Sequence, residues 1–319
     1  MRNDIQGSTE KCRKMNQTKP KYHSPAFLND IISYVEFAKD GNIFDAYGGD
    51  GSYGEALLEK FPGIHYYYSD IDKKAVETAT KRLIRFGQRA HIERISCAYL
   101  EKRVSEEGLS SIDSVIYDPG LRYEYVSNPD RGFSIKLSGP LDGRYDQSAE
   151  GTIGDIVNNT PVDELSRIFK TVEIPSPNRI AQRIDEYRKN KKISTTGELA
   201  DIVEKAVPYR LKRKKVHTGV LAMLALRIHV NDELSTLEMA VKQGFDALRI
   251  GGRLITISYH SLEAKIYKRF ARAFDERYAD DADKRIRVLT RKVVKPTEDA
   301  INQNPLIRSA QLRVYEKIF

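Results

Sequence analysis

The stretch Phe44-Asp45-Ala46-Tyr47-Gly48-Gly49-Asp50-Gly51-Ser52-Tyr53-Gly54 governs how the rest of the chain is read. The apolar run over 42–46 predicts a strand leading into it, and the pattern over 53–60 predicts a helix leaving it. Glycines at a strand-to-helix turn let backbone pass close to a ligand, and the helix start offers unpaired N–H groups. A glycine-rich turn taken alone is as often a plain turn, so its surroundings decide.

Working outward, strand and helix patterns alternate on both sides. A helix is predicted over 24–38 behind a Ser24 cap, with Phe27, Leu28, Ile31, Ile32, Val35 and Phe37 on its apolar side. Strands are predicted over 65–69, 91–95 and 112–117, with a helix over 73–85. Such alternation implies βαβ units and a parallel sheet. It breaks after Asp118, where 123–216 holds Gly- and Pro-containing loops and helical stretches such as 162–169 and 178–187 without a strand pattern.

One long amphipathic stretch, 219–248, then resumes the core, with Gly251-Gly252 read as a helix-ending turn before the strongest strand, 253–258. A helix over 261–274 and β-rich runs over 287–294 and 310–318 complete the chain. Five parallel strands and a terminal β pair predict an α/β fold of the class I S-adenosylmethionine-dependent methyltransferase type. That is a Rossmann-like, mostly parallel seven-stranded sheet with a helical insertion domain. The expected organisation is a flexible basic leader over 1–21, a methyltransferase core over 22–126 and 216–319, and a helical insertion over 127–215 for substrate recognition.

The 319 residues carry a formal net charge of +8, and Arg210, Lys212, Arg213, Lys214 and Lys215 concentrate part of it. A local basic excess favours polyanionic partners through counterion release, so these five are the candidate RNA-binding residues; a solvated basic loop is the other reading. Cys12 and Cys97 fit neither a disulfide framework nor a zinc site, and the six histidines show no metal-ligand spacing. No run approaches the ~20 apolar residues of a membrane span. These features predict a cytoplasmic protein without a metal or a membrane contact, or a mitochondrial matrix protein if the chain is eukaryotic.

Three further positions carry chemistry. Asp70 ends the second predicted strand, 25 residues after Asp45. Rossmann-like folds place there the acid that accepts hydrogen bonds from ribose hydroxyls. Asp72 reads as the cap of the next helix. Asp118-Pro119-Gly120-Leu121 lies at the carboxyl end of the fourth strand, where ligands of open α/β sheets gather. A carboxylate there accepts hydrogens from an exocyclic amine and aims its lone pair for methyl transfer. His260, at the end of the fifth strand, either lines the same crevice or starts the following helix.

Ordered segments of the chain resemble one family. They include Tyr22-His23-Ser24-Pro25, Arg131-Gly132-Phe133-Ser134, Gly139-Pro140-Leu141-Asp142, Ser194-Thr195-Thr196-Gly197-Glu198-Leu199-Ala200 and Leu226-Arg227-Ile228 with Val230-Asn231-Asp232-Glu233-Leu234. Gly251-Gly252-Arg253-Leu254, Ser258-Tyr259-His260-Ser261-Leu262-Glu263, Lys268-Arg269-Phe270 and Asn304-Pro305-Leu306-Ile307-Arg308-Ser309-Ala310-Gln311-Leu312-Arg313 continue the series. Together they resemble the bacterial-type 16S ribosomal RNA cytosine-N4 methyltransferases (RsmH/MraW), in the family's order from about residue 22 to the end. The resemblance implies S-adenosylmethionine as methyl donor and a cytidine of small-subunit ribosomal RNA as acceptor. It also implies the small ribosomal subunit as partner, and leaves a homodimer open. Asp118 and His260 stand as catalytic candidates. The cofactor candidates are Asp45 and Gly49 from the glycine turn, with Gly51, Ser52, Tyr53, Asp70, Tyr99, Asp118 and Tyr125 by resemblance.

The chain is a divergent member by the same comparison. Where the family reads Gly-Gly-His-Ser, this chain has Gly51-Ser52-Tyr53-Gly54; where it reads Leu-Gly-Val-Ser-Ser and a later Gln, this chain has Pro119-Gly120-Leu121-Arg122-Tyr123 and Tyr125. The run after His217 and the segment before Arg179 also depart. A methyltransferase-like ribosome assembly factor with little or no activity is therefore the alternative. A third reading is an enzyme for another amino group, since Asp-Pro-Gly-Leu resembles the Asp-Pro-Pro-Tyr loop of other amino-methylating enzymes.

Overall fold

The computed structural model describes residues 25–212, 216–279 and 285–319, so the leader, Ser24, Arg213, Lys214 and Lys215 lie outside the described residues. Seven strands form one sheet: β1 (Asn42–Asp45), β2 (His65–Asp70), β3 (Ala90–Arg94), β4 (Ile112–Tyr117), β5 (Leu248–Ser258), β6 (Ile286–Val288) and β7 (Gln311–Lys317). Their order is β3-β2-β1-β4-β5-β7-β6. The first five are parallel, while β7 runs antiparallel between β5 and β6, pairing Leu254 with Tyr315 and Arg287 with Glu316. This is the class I methyltransferase sheet. Strand order reverses at β1 and β4, and the carboxyl ends of that pair open the crevice in which such folds hold ligands.

The central strands are apolar almost throughout because both faces of the sheet are covered. Ile43 and Ile116 join one core with Ile31 and Val35 of α1 (Leu28–Val35), Leu57 and Leu58 of α2 (Ser52–Lys60), and Ala79 and Leu83 of α3 (Lys73–Leu83). Phe44, Val115 and Tyr117 join the opposite core with Leu100 and Val104 of α4 (Leu100–Glu106), and with Leu237 and Phe245 further along the chain.

Between β4 and β5 the chain is helical. A short α5 (Tyr123–Ser127) precedes α6 (Ile153–Asn159), α7 (Val162–Thr171), α8 (Pro177–Arg188), α9 (Thr196–Ala206), α10 (Thr218–Val230) and α11 (Glu233–Ala247). Helices α6 to α10 close on a third core that includes Ile153, Leu165, Phe169, Ile184, Leu199 and Leu226. Helix α10, grouped with the main core in the sequence reading, contributes Ala222, Met223, Ala225 and Leu226 to this cluster. The helices α12 (Ser261–Phe274) and α13 (Glu298–Gln303) follow β5 and β6. Among the described residues no helix is long and apolar enough to cross a membrane.

Three sequence expectations need correction. The stretch 219–248 is two helices, because Asn231 and Asp232 break it: Asp232 has a left-handed backbone (φ 48°), and the Asn231 amide donates to the Gly143 carbonyl at 2.8 Å. Gly251-Gly252 is no helix-ending turn, since α11 ends at Ala247 and β5 already runs from Leu248. The pair sits in a bulge where pairing with β4 jumps from Ile112↔Leu248 to Ser114↔Arg253, and Gly251 takes φ 76°. Finally, the run 287–294 is a strand only over β6, with Val294 rejoining the sheet by an isolated bridge to Leu312.

Candidate active site

The glycine turn is built from the inside. Asp45 is fully buried, accepting the Tyr66 hydroxyl at 2.5 Å and the Tyr47 amide at 3.2 Å. Burial pushes its carboxyl up to about 7 against those hydrogen bonds. Gly49 has φ 55°, donates its amide to Asp70 Oδ2 at 3.1 Å and receives the Tyr68 hydroxyl on its carbonyl at 2.7 Å. Gly51, with φ 80°, is needed for packing: a Cβ there would lie 3.1 Å from that of Ala79 on α3. The Ser52 hydroxyl donates to Asp50 Oδ1 at 2.6 Å and accepts from Arg82 at 2.7 Å.

Asp70 ends β2 and accepts a second amide, that of Asp72, at 2.8 Å. Burial raises its carboxyl to about 6, although Arg122 opposes the rise. Asp72 caps α3 through the Lys74 amide at 2.8 Å, as its sequence position predicts. It also accepts from both Arg122 and Arg131.

Asp118 leaves β4 between two phenols. The Tyr53 and Tyr259 hydroxyls each lie 2.8 Å from one of its oxygens, and the Gly120 amide donates at 3.3 Å. Burial raises its carboxyl, and the phenol bonds hold it back. The Tyr53 hydroxyl also lies 2.6 Å from the Ala26 carbonyl.

Three cavities meet along Asp118-Pro119-Gly120-Leu121. The central one, bounded by Gly49, Asp70, Ile71, Ser96, Asp118 and Tyr125 among others, encloses about 780 Å³ counted to its open mouth. A second cavity on the glycine-turn side includes Ser52, Tyr53, Asp118 and Tyr259. A third, against the inserted helices, is walled by Pro119, Phe133, Met223, Arg227, His260 and Glu263.

Most of the sequence-predicted residues therefore converge. Gly49, Asp70, Asp118 and Tyr125 line the central cavity, Ser52 and Tyr53 the second, and His260 the third. Asp45, Gly51 and Tyr99 line none of them; Asp45 and Gly51 support the turn from behind, and Tyr99 is 57% exposed. Tyr125 is buried in an aromatic stack, its ring centroid 4.9 Å from that of Phe133 and 5.3 Å from that of Tyr145. His260 combines both of its readings: it faces the third cavity and caps α12 in a reciprocal box with Glu263. Its Nε2 lies 3.2 Å from Glu263 Oε1 without the alignment of a hydrogen bond. Of the basic cluster, Lys212 pairs with Glu204 at 2.7 Å and Arg210 is exposed.

Sequence reasoning missed Tyr259, Glu263 and Arg122 as site residues. Glu263 is only 3% exposed, accepts the Tyr259 amide at 2.6 Å, and borders both the central and the third cavity. Its usable signal was its place just beyond the β5 terminus, three residues after His260.

A family model described as the MraW methylase family matches residues 21–318. The chain belongs to the MraW methylase family. The Ribosomal RNA small subunit methyltransferase H of Syntrophus aciditrophicus (strain SB) is 33% identical over 315 residues, covering 95% of this chain and all of that protein. The protein of the same name from Sulfurihydrogenibium azorense is 34% identical over 298 residues, covering 93% of this chain and 99% of its own. A solved rRNA methylase from Streptococcus thermophilus overlays at a TM-score of 0.43 with 11% identity, covering 92% of this chain and 98% of that one. So loose an overlay adds nothing to the fold already read from strand order.

The MraW methylases are S-adenosylmethionine-dependent, and the residues here fit that donor. Asp70 accepts one amide on each oxygen, which leaves lone pairs for the two hydroxyls of a ribose. Asp70, Asp118, Glu233 and Glu263 outnumber Arg122 around the central cavity, a balance that suits a sulfonium cation.

Proposed function

We propose that this methylase transfers a methyl group from S-adenosylmethionine to the N4 amino group of a cytidine in small-subunit ribosomal RNA. The observation that carries the reading is the wall that the central cavity and the third cavity share, Pro119 and Glu263, with Asp118 on its central side: one cavity offers a nucleoside site at Asp70, the other a second site against the inserted helices. Relatives 33–34% identical over nearly the whole chain bear the name of small-subunit ribosomal RNA methyltransferases, which supports the acceptor.

The bound donor supplies the electrophilic methyl. Everything else falls to the chain. The cytosine amine is a weak nucleophile because its lone pair is delocalised into the ring, so the required effects are orientation and exclusion of water. Asp118 accepts the amine hydrogens, and Tyr53 and Tyr259 hold its carboxylate at a fixed angle from both sides. Glu263 offers a second buried acceptor between the two cavities. Phe133, Met223 and Leu121 give the third cavity apolar walls for a flat base, while Arg227 and His260 face its polar edge. The insertion thus serves acceptor recognition, and Arg210 with its neighbours holds the RNA backbone.

The test is methyl transfer to small subunits lacking the modification, followed by nucleoside mass spectrometry. N4-methylcytidine is expected, and Asp118→Asn is expected to abolish most of it. Methyl on another nucleoside would overturn the acceptor, and no incorporation by a folded, donor-binding protein would overturn the enzyme. The assembly-factor alternative is not favoured, because the relatives that match nearly the whole chain bear the name of methyltransferases.

A further inference from the structure

We propose that Arg122 grips the α-carboxylate at the methionine end of the methyl donor. The inference rests on the donor reading above. Among the described residues, Arg122 is the one basic side chain on the walls of both the central and the glycine-turn cavity. The donor's nucleoside end has Asp70 and Ile71 within the central cavity, and Arg122 stands where that cavity meets the next.

The guanidinium is held in place and keeps donor capacity in reserve. It bonds Asp72, which also accepts Arg131 Nη1 at 3.1 Å, and Asp70 bears on the same guanidinium, so two cations stand against two carboxylates. The Arg122 Nε is buried without a partner, on a side chain only 15% exposed. Being buried, the Nε does not itself reach the cavity, so contact with a ligand falls to the terminal nitrogens of the fork. The plane of the group is fixed by the Tyr125 ring, whose centroid lies 4.4 Å from the guanidinium carbon. The stem passes over Gly49, with Cδ 3.6 Å from where a Cβ would be, so the glycine leaves room for a ligand chain beside it.

The two other departures in the glycine turn strengthen the assignment. Ser52 is engaged with Asp50 and Arg82, and the Tyr53 hydroxyl with Ala26 and Asp118, so neither side chain is free to take a carboxylate. A planar fork of donors is the best match for that anion.

The experiment is calorimetric titration of the full chain with S-adenosylhomocysteine and with its decarboxylated analogue, which keeps the amine and lacks only the carboxylate. Wild type is expected to prefer the carboxylate by ~10–100-fold, the range of a charge-assisted hydrogen-bonded pair. In Arg122→Gln that preference collapses while affinity for the decarboxylated analogue changes by less than about 3-fold, and Arg122→Lys retains part of it. Wild type without a preference overturns the proposal whatever the variants do. Equal loss of both ligands in Arg122→Gln also overturns it, and shows that the side chain only neutralises Asp72. Failure of wild type to bind either ligand overturns the donor reading itself, a result separate from both.

Discussion

Tyr53 has one hydroxyl proton and two acceptors within 2.8 Å, the Ala26 carbonyl and Asp118. The one proton is shared between the two, which pins the phenol where Asp118 leaves β4. Tyr53→Phe removes this link at constant ring volume. It is expected to cost about 1–2 kcal/mol in urea unfolding and to lower methyl transfer more than donor affinity. Asp118→Asn leaves one of the two phenols without its carboxylate oxygen and is expected to lower kcat by ~10²–10⁴-fold.

A pH effect belongs at the same scale. Asp45 and Asp70 have carboxyls raised by burial to about 7 and about 6. Between about pH 4 and pH 7 the folded chain therefore holds protons that the unfolded chain has lost. Their contribution to stability is complete below pH 4 and is lost as pH rises through 6 and 7. Unfolding midpoints of wild type and Asp45→Asn across that range check this: the variant should show a flatter decline, and an unchanged slope would count against it.

At the scale of elements, the capping box of α12 separates the two roles of His260. His260→Ala is expected to cost ~1 kcal/mol from loss of the cap, whereas His260→Asn should restore the cap and thus the stability. If methyl transfer stays low in His260→Asn, the imidazole acts toward the acceptor; if it returns with stability, His260 is a helix start. Gly51→Ala tests the turn in a similar way, since φ 80° and the Ala79 contact both oppose a side chain. A loss of more than about 1 kcal/mol in unfolding free energy is expected.

The strands β1, β2, β4 and β5 were legible because their apolar runs report burial on both faces. The breaks were not. The Asn231-Asp232 interruption depends on a loop some 90 positions earlier: Asn231 accepts the Tyr145 amide and donates to Gly143, and Arg227 pairs with Glu233 across the break at 2.7 Å. No local window contains those partners. Gly251-Gly252 was misread for a related reason, since a bulge is defined by its neighbour strand.

Across the whole molecule, three cavities meet at one strip of four residues, and in the proposed reaction the sheet supplies the donor side and the inserted helices the acceptor side. The net charge of +8 acts over this larger distance. RNA affinity is expected to fall steeply with salt, and Arg210→Ala should reduce the slope of log K against log[KCl] by about 0.7–0.9. Lys212→Ala should change it less, because Lys212 is already paired with Glu204. Filter binding over a salt series checks the ranking, and an equal effect of both would overturn it.

The order of strands and helices, the glycine turn and its acid 25 residues on were all determined by the sequence alone, because hydrophobic period and turn chemistry are local. Family membership was equally legible in the ordered segments. Tertiary structure alone decided which of those residues share a cavity. It turned Tyr99 outward, set Asp45 and Gly51 behind the turn, and brought Arg122, Tyr259 and Glu263 to Asp118. The reason is physical: a site is a set of distances between strand ends, and those distances exist only once the sheet has closed and the inserted helices have packed against it.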